Sequence, residues 1–391
     1  VSRRDRPAVI VVGGGCTGLL VAVGLSRADV DVVVVEQQGL GGGQTAHAHG
    51  WLHHGHIYDD VTSRQARVLR AGSHRWRSMA ERHGIPLISS TNVVAFSDAD
   101  QALRARRRWE HAGIDDRVVA TDSFPGMRSY ATGEVAVSPG QILRSVASGS
   151  TVRVVHGQVT RVIRSSTEQP GVEIEMGGAS RHALHADHVV VAAGVGTADL
   201  PHLSVELERR ASHMLVVQTS VPLPAAFAFP EQRALGLFAV RRSRAGKDAY
   251  LLSDFLSSSP VAESGLLEAE LWRRAIEPVL RRYLPAVWAD PDARWGTYPV
   301  EKLESTRDVP LGVPGALIER GFDDRVITVS PGKLTSAPVV ADDVITALSD
   351  VRRGGRATVR GALPVESARW AHEDWGLTPL MRRDTLFRRP A

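Results

Sequence analysis

A β-branched run that meets three spaced glycines and ends, one strand later, in a carboxylate leaves few options for the start of this chain. Val9-Ile10-Val11-Val12 is an uninterrupted apolar run of the kind that forms a fully buried parallel strand. Gly13, Gly15 and Gly18 follow at the G-x-G-x-x-G spacing. Leu19 to Ser26 is apolar with helical character, and Asp31 to Val35 reads as a second buried strand ending at Glu36. Each part has a physical job. Gly13 permits the tight turn, Gly15 lets backbone approach a pyrophosphate, and Gly18 lets helix pack on strand. Cys16 lies in the phosphate loop with Thr17 next to it, and the N-terminus of the helix that follows offers unpaired N–H groups that suit an anion. Glu36, eighteen positions after Gly18, can accept the two ribose hydroxyls of an adenosine, with Gln37 beside it. The unit predicts a dinucleotide-binding β-α-β domain rather than a glycine-rich turn without a ligand.

The 391 residues exceed what one core usually holds, so two domains are expected. A net charge of +4, with basic residues dispersed, argues against nucleic acid as a partner; the run Arg104 to Arg108 reads as a solvated helix face. The single cysteine, Cys16, excludes an intramolecular disulfide framework and fits a reducing compartment. No apolar run approaches the length of a membrane span. The first strand begins within eight residues, which leaves no room for a signal peptide, so the expected location is cytoplasmic. Of 47 basic residues only Lys247, Lys302 and Lys333 are lysine, which makes a lysine here a better candidate for a specific task.

Gln37 to Thr45 is too glycine-rich for helix or strand. Helices are predicted over Ser63 to His83, with Val68, Leu69, Trp76 and Met79 inward, and over Pro139 to Ala147, with proline in its first turn. A further helix is expected over Ser264 to Glu277, with Leu267, Leu271 and Ala275 on one face and Pro278 ending or kinking it. Strands are expected at Val152 to Val155, Gln158 to Ile163, Val172 to Met176 and Asp187 to Gly196, the last ending in small residues. Met214 to Gln218, Gly236 to Val240 and Ala249 to Leu252 suggest an antiparallel sheet. Near the end, Arg325 to Val329 is a buried strand, followed by Ser330-Pro331-Gly332-Lys333-Leu334-Thr335 and a helix over Ser336 to Leu348.

This order of elements resembles the glutathione-reductase-type flavoprotein fold, and specifically the D-amino-acid-oxidase-like family of FAD oxidoreductases, over about residues 8 to 350. Four motifs carry the resemblance. The first is Gly13 to Glu36. The second, Gln44-Thr45-Ala46-His47-Ala48-His49-Gly50-Trp51-Leu52-His53-His54-Gly55, is similar to the flavin-contacting segment of L-2-hydroxyglutarate oxidases, with His47 in place of an Arg. The third is Val191-Ala192-Ala193-Gly194, similar to the family's strand end beside the FAD diphosphate. The fourth, Gly332-Lys333-Leu334-Thr335, resembles the C-terminal motif of FAD-dependent glycerol-3-phosphate dehydrogenases. The resemblance implies an α/β fold, with a Rossmann-like FAD-binding domain (1–90, 131–205 and 290–352). It also implies a second, antiparallel-sheet substrate domain (91–130 and 206–289), with a tail over 353–391. It implies FAD contacts from Gly13, Gly15, Cys16, Thr17, Gly18, Glu36, Gln37, Gln44, Thr45, Ala46, His47, Val159, Ala193, Gly194, Gly332, Lys333, Leu334 and Thr335. Lys333 and the N–H groups of its loop would stabilise negative charge on reduced flavin.

Three readings compete for His47, His49, His53, His54 and His56. A metal site is disfavoured because Gly50 and Gly55 break the helix that i, i+4 spacing would need, and only Asp59 and Asp60 are at hand to complete it. His53 or His54 can instead act at the flavin face as proton acceptor or orienter. Thirdly, His53 or His54 can link covalently to FAD, as in relatives with a similar Trp-His-Ala-Ala-Gly segment. The Gly-x-Arg-Pro motif whose Arg clamps carboxylates in amino-acid oxidases reads Gly296-Thr297-Tyr298-Pro299 here. Tyr298 therefore stands at the clamp position without its charge, and Arg241, Arg242 or Arg307 are possible substitutes. Tyr250, His213 and Phe238 are further pocket candidates.

The catalytic candidates are thus His53, His54, Lys333 and Tyr298. The expected activity moves a hydride from a C–H bearing OH or NH of a small molecule to FAD, giving a ketone or imine, with electrons passing to oxygen or another acceptor. An amine or amino-acid oxidase and a non-catalytic flavin-binding protein are the alternatives.

Overall fold

The computed structural model describes residues 7–58, 61–164, 170–176, 180–200, 207–230, 236–244, 247–254, 259–260, 269–305, 317–321, 324–349, 359, 362–372 and 378–387. The chain opens with Val9–Val12 (β1), Cys16–Arg27 (α1), Val32–Glu36 (β2), Gln44–His47 (α2), Trp51–Leu52 (β3) and Ser63–Arg82 (α3). Both β1 and β2 are buried at every position, as continuous valine-rich runs require in a sheet covered on both faces. α3 starts at a capping box: the Thr62 side chain accepts from the Gln65 N–H, and the Gln65 side chain accepts from the Thr62 N–H. Leu69 and Trp76 are fully buried along it, while Val68 and Met79 are half-buried.

Seven strands form the first sheet, in the order Leu317–Gly321, Val326–Ser330, His188–Val191, β1, β2, Arg153–His156 and Leu363–Pro364. The five central strands run parallel and the two edge strands antiparallel. α1, Pro139–Ala147 and Ala337–Ala347 contribute to the apolar cluster on one face, and the antiparallel strands Gln158–Arg164 and Pro170–Met176 to the cluster on the other. The parallel strand ends at Gly13, Glu36, Val191 and Ser330 all open on one edge. In such folds that edge is where ligands bind.

The second sheet has ten strands and is antiparallel except where Phe227 and Ala228 pair in parallel with Val93 and Val94. The expected division assigns 290–352 to the cofactor domain. Arg294–Ser305, however, makes a ladder with Leu207–Gln218 along all 12 of its residues, so hydrogen bonding places it in the second sheet. Described parts of the tail join both sheets: Leu363–Pro364 edges the first, and Met381–Arg382 pairs with Arg294 and Trp295 in the second.

Two local expectations change. Gln44–His47 forms one helical turn within the glycine-rich loop, entered from Gly43 at φ 55°. Pro278 does not end its helix, which spans Ala269–Tyr283. Its buried stripe is Trp272, Ile276, Val279 and Leu280, whereas Ala275 and Pro278 face water; there, solvent can satisfy the carbonyl that proline leaves without a donor. Leu267 lies outside the described residues.

Candidate active site

A trough runs along the C-terminal edge of the first sheet. Its walls include Gly13, Gly15, Cys16, Thr17, Glu36, Gln37, Gln44, Thr45, Ala193 and Gly194 on one side, and Gly332, Lys333 and Leu334 on the other. Of the remaining predicted cofactor contacts, Val159 lines a neighbouring cleft that shares Gly13, Glu36, Gln37 and Ala193 with the trough. His47 lines a second pocket at the other end. Gly18, Ala46 and Thr335 are buried behind the walls.

The local backbone explains the trough. Gly13 sits at φ 97°, and a Cβ there would lie 2.5 Å from the Ala192 carbonyl oxygen. At Gly15 only Thr45 Oγ1 lies within 4 Å of the Cβ position, so a side chain would fill the trough itself. α1 has no side-chain cap from Gly15, leaving first-turn amides beyond that of Cys16 available to an anion. The Cys16 N–H donates to Thr45 Oγ1 at 2.9 Å, tying α1 to α2, and burial pushes the Cys16 thiol up. Glu36 has one oxygen on the Gly14 N–H at 2.7 Å and the other on the N–H groups of Gln38 (2.7 Å) and Gly39 (3.2 Å). It therefore first holds its own loop, and a carboxylate's remaining lone pairs can take ribose hydroxyls. These residues fit a dinucleotide such as FAD.

Beyond Lys333 the trough opens into an aromatic pocket walled by Trp51, His53, Tyr58 and Phe238, with His47 and His49 at one side. His53 is buried; its ring stacks on Trp51 (centroids 5.8 Å, planes at 17°) and its backbone N–H donates to Thr335 Oγ1 at 3.0 Å. The Trp51 backbone N–H donates to His49 Nδ1 at 3.0 Å, so that nitrogen is the unprotonated one. Lys333 sits 5.9 Å from the centre of the Tyr58 ring.

Several predicted residues do not reach this pocket. The His54 ring turns away to Ser73 Oγ (3.1 Å) and lines a separate cleft with Arg70, His74 and Arg117. Tyr298 packs with Met214, Val216, Leu251 and Val300, and its hydroxyl donates to the His47 carbonyl at 3.4 Å. The cation contributed by that strand is Lys302, which lines the pocket beside Val300 and Glu301. Tyr250 is buried with its hydroxyl on the Leu223 carbonyl, and His213 packs against Trp272; only Phe238 of that group lines the pocket. Arg242 donates to the Ala48 carbonyl at 3.3 Å, and Arg241 faces Asp248. Arg307, Asp59 and Asp60 lie outside the described residues, among which no group of three metal-ligating side chains occurs.

The sequence reading missed two residues of the site and singled out a third, Lys302, only as one of three lysines. Glu134, fully buried, accepts from the Trp51 indole N–H at 2.8 Å and from the His54 N–H at 2.5 Å. Gly72 lets α3 touch the Thr335 backbone. Lys302 carried the one available signal, the scarcity of lysine.

Burial drives the electrostatics. It lowers His53 to about 3, with Lys333 and Lys302 adding to the effect and Glu134 opposing it. His54 is lowered to about 4 by burial, again against Glu134. Burial, then His53, Lys302 and Arg242, hold His49 well below its ordinary value. All three imidazoles are neutral at pH 7. In the unfolded chain they take up protons near pH 6.5, so between there and their folded values the unfolded state binds more protons. Stability is therefore full above about pH 6.5 and falls on acidification, by on the order of 1 kcal/mol per pH unit for each histidine. Chemical denaturation at about pH 7.5 and about pH 5 should show a clear drop, reduced in a His54→Asn variant; equal stability at both would contradict these environments.

A family model described as FAD dependent oxidoreductase matches residues 8–341. The probable FAD-dependent oxidoreductase PA4991 of Pseudomonas aeruginosa is 26% identical, over 91% of this chain and 94% of its own. Its crystal structure superposes with a TM-score of 0.68, covering 96% of this chain and 99% of that one. One component of the anaerobic glycerol-3-phosphate dehydrogenase of Escherichia coli is 28% identical, over 48% of this chain and 37% of its own length. Glycine oxidase from Geobacillus kaustophilus shares the fold, with a TM-score of 0.68 at 15% identity, over 91% of this chain and 99% of its own.

Proposed function

The chain belongs to the family of FAD-dependent oxidoreductases, and from that premise we propose that it oxidises a carbon bearing OH or NH next to an anionic group, giving a ketone or imine. The observation that carries this reading is that two of the three lysines in the whole sequence, Lys302 and Lys333, line one aromatic pocket at the end of the cofactor trough. Bound FAD would supply the acceptor for a hydride. The Gly13 to Gly18 turn and the α1 N-terminus would hold its diphosphate, and Glu36 its ribose.

The remaining work falls to this chain's own side chains. Lys302 meets the anionic end of the substrate, while Trp51, Tyr58 and Phe238 exclude water around the reacting carbon. Lys333 sits where the trough meets the pocket and offers positive charge to both ligands. His53, neutral and desolvated, offers an acceptor to the substrate's O–H or N–H and orients it. Two lysines against one carboxylate, Glu301, leave the lining net positive, so a hydroxy acid, or an amine entering unprotonated, suits it better than an ammonium. Electrons would leave to oxygen or another acceptor. The single cysteine fits work in a reducing compartment such as the cytoplasm.

The test is anaerobic mixing of the holoprotein with panels of hydroxy acids, amino acids and their neutral alcohol and amine counterparts. Anionic donors should bleach the flavin band near about 450 nm. Lys302→Met should leave the spectrum intact and raise the half-saturating donor concentration about tenfold to a hundredfold, the usual worth of a charged hydrogen bond. Equal reduction by neutral donors, or an unchanged Lys302→Met, would refute the anionic substrate.

A further inference from the structure

Glu134 touches neither the trough nor the aromatic pocket, yet it holds the pocket's main wall. One of its oxygens accepts the Trp51 indole N–H at 2.8 Å. The other faces a nest of successive N–H groups, those of His54 (2.5 Å), Gly55 (3.1 Å) and His56 (3.4 Å), with His56 Nδ1 at 3.2 Å. Gly55, at φ 127°, gives the chain the turn that points these groups inward. The carboxylate is 0% exposed. Trp51 in turn stacks on His53, whose backbone N–H is held by Thr335 Oγ1.

Such a carboxylate is more than an anchor for a turn. Its two oxygens have separate tasks, one on the backbone of 54–56 and one on the ring that lies nearly parallel to His53. We propose that Glu134 is a positioning residue: through Trp51 it sets the orientation of the His53 imidazole against bound FAD and substrate. The catalytic part of this inference rests on the oxidoreductase reading above, while the structural part does not.

Glu134→Gln separates the tasks. The amide oxygen can serve the nest, but the NH2 group then meets the Trp51 N–H donor to donor and that bond is lost. Fluorotryptophan-labelled holoprotein gives a direct readout, with the Trp51 resonance assigned by Trp51→Phe. In Glu134→Gln the Trp51 signal should shift, the visible circular dichroism of bound FAD should change, and flavin reduction should slow about tenfold to a hundredfold at little cost in donor affinity, as expected for sub-ångström misplacement. Trp51→Phe removes the donor, so adding Glu134→Gln to it should cost little more.

An unmoved Trp51 signal would overturn the proposal. So would a moved signal with circular dichroism and reduction both unchanged, since Glu134 would then be an anchor only. If no donor reduces the wild-type flavin, the oxidoreductase reading fails, and the fluorine and dichroism results still decide the positioning role. If Glu134→Gln does not fold, Trp51→Phe breaks the same bond from its other end; unchanged dichroism and reduction there would overturn the proposal as well.

Discussion

Replacing Gly18 by alanine should give a chain that purifies almost without FAD. A Cβ at Gly18 would stand 2.0 Å from the Gly13 carbonyl oxygen, 3.1 Å from the Gly13 carbonyl carbon and 3.2 Å from Val11 Cγ1. The first two are backbone atoms of a turn held by the Gly13 N–H on the Val35 carbonyl at 2.8 Å, so no side-chain rotation relieves the overlap. α1 must move off the sheet, carrying its first-turn amides away from the trough. Overpacking of this kind costs about 1–3 kcal/mol, occasionally more. The weakening of FAD should be at least about a hundredfold, equivalent to about 2.7 kcal/mol.

Gly24→Ala is the control in the same helix. Its Cβ would meet Ile345 Cδ1 at 2.2 Å, the end of a half-buried side chain that can turn aside, and it gains helix propensity. The ratio of flavin to protein absorbance, followed by titration with FAD, separates the two. Retention of FAD by Gly18→Ala at the wild-type level would mean that the turn does not govern the cofactor site.

What could be read from the sequence divides along local and non-local lines. β1, α1 and β2 were legible because periodicity, glycine spacing and a terminal carboxylate are all written within one short stretch. The side of a strand that meets the pocket is not written locally. In an extended segment successive side chains point to opposite faces. His49, Trp51 and His53 therefore line the pocket, while His54 turns to Ser73. Tyr298 and Lys302 lie on one face of Arg294–Ser305, and motif alignment singles out Tyr298. Pairing with Leu207–Gln218 sets Tyr298 opposite Met214, within an apolar cluster, and brings Lys302 to the pocket four residues on. Glu134 carried no signal because its donors come from a segment about eighty positions away.

Gly72 is the sharpest case of a residue whose intrinsic helix propensity points opposite to its role. In a helix of 20 residues a central glycine counts only as a loss of propensity, so Gly72→Ala would be expected to stabilise α3. The structure reverses that sign. A Cβ at Gly72 would lie 1.9 Å from the Thr335 carbonyl oxygen, 2.8 Å from its carbonyl carbon and 3.3 Å from Ser336 Cα. One turn later the Trp76 indole donates to the Leu334 carbonyl at 2.9 Å, so α3 grips the same loop at two points. The added methyl must push Leu334–Ser336 toward the trough, and Thr335 carries His53 with it through the His53 N–H. We expect a loss of about 3 kcal/mol, a fall in melting temperature of about 4 °C for a chain of 391 residues, and a displaced flavin absorption band in whatever holoprotein remains. Trp76→Phe, which removes that hydrogen bond and leaves a small cavity around a fully buried side chain but spares the backbone contact, should cost about 1–3 kcal/mol and leave the flavin band in place. A Gly72→Ala protein as stable as the wild type, with an unshifted flavin band, would show that α3 does not set the position of this loop. Lys333 would then owe its place in the pocket to the strand Val326–Ser330 alone.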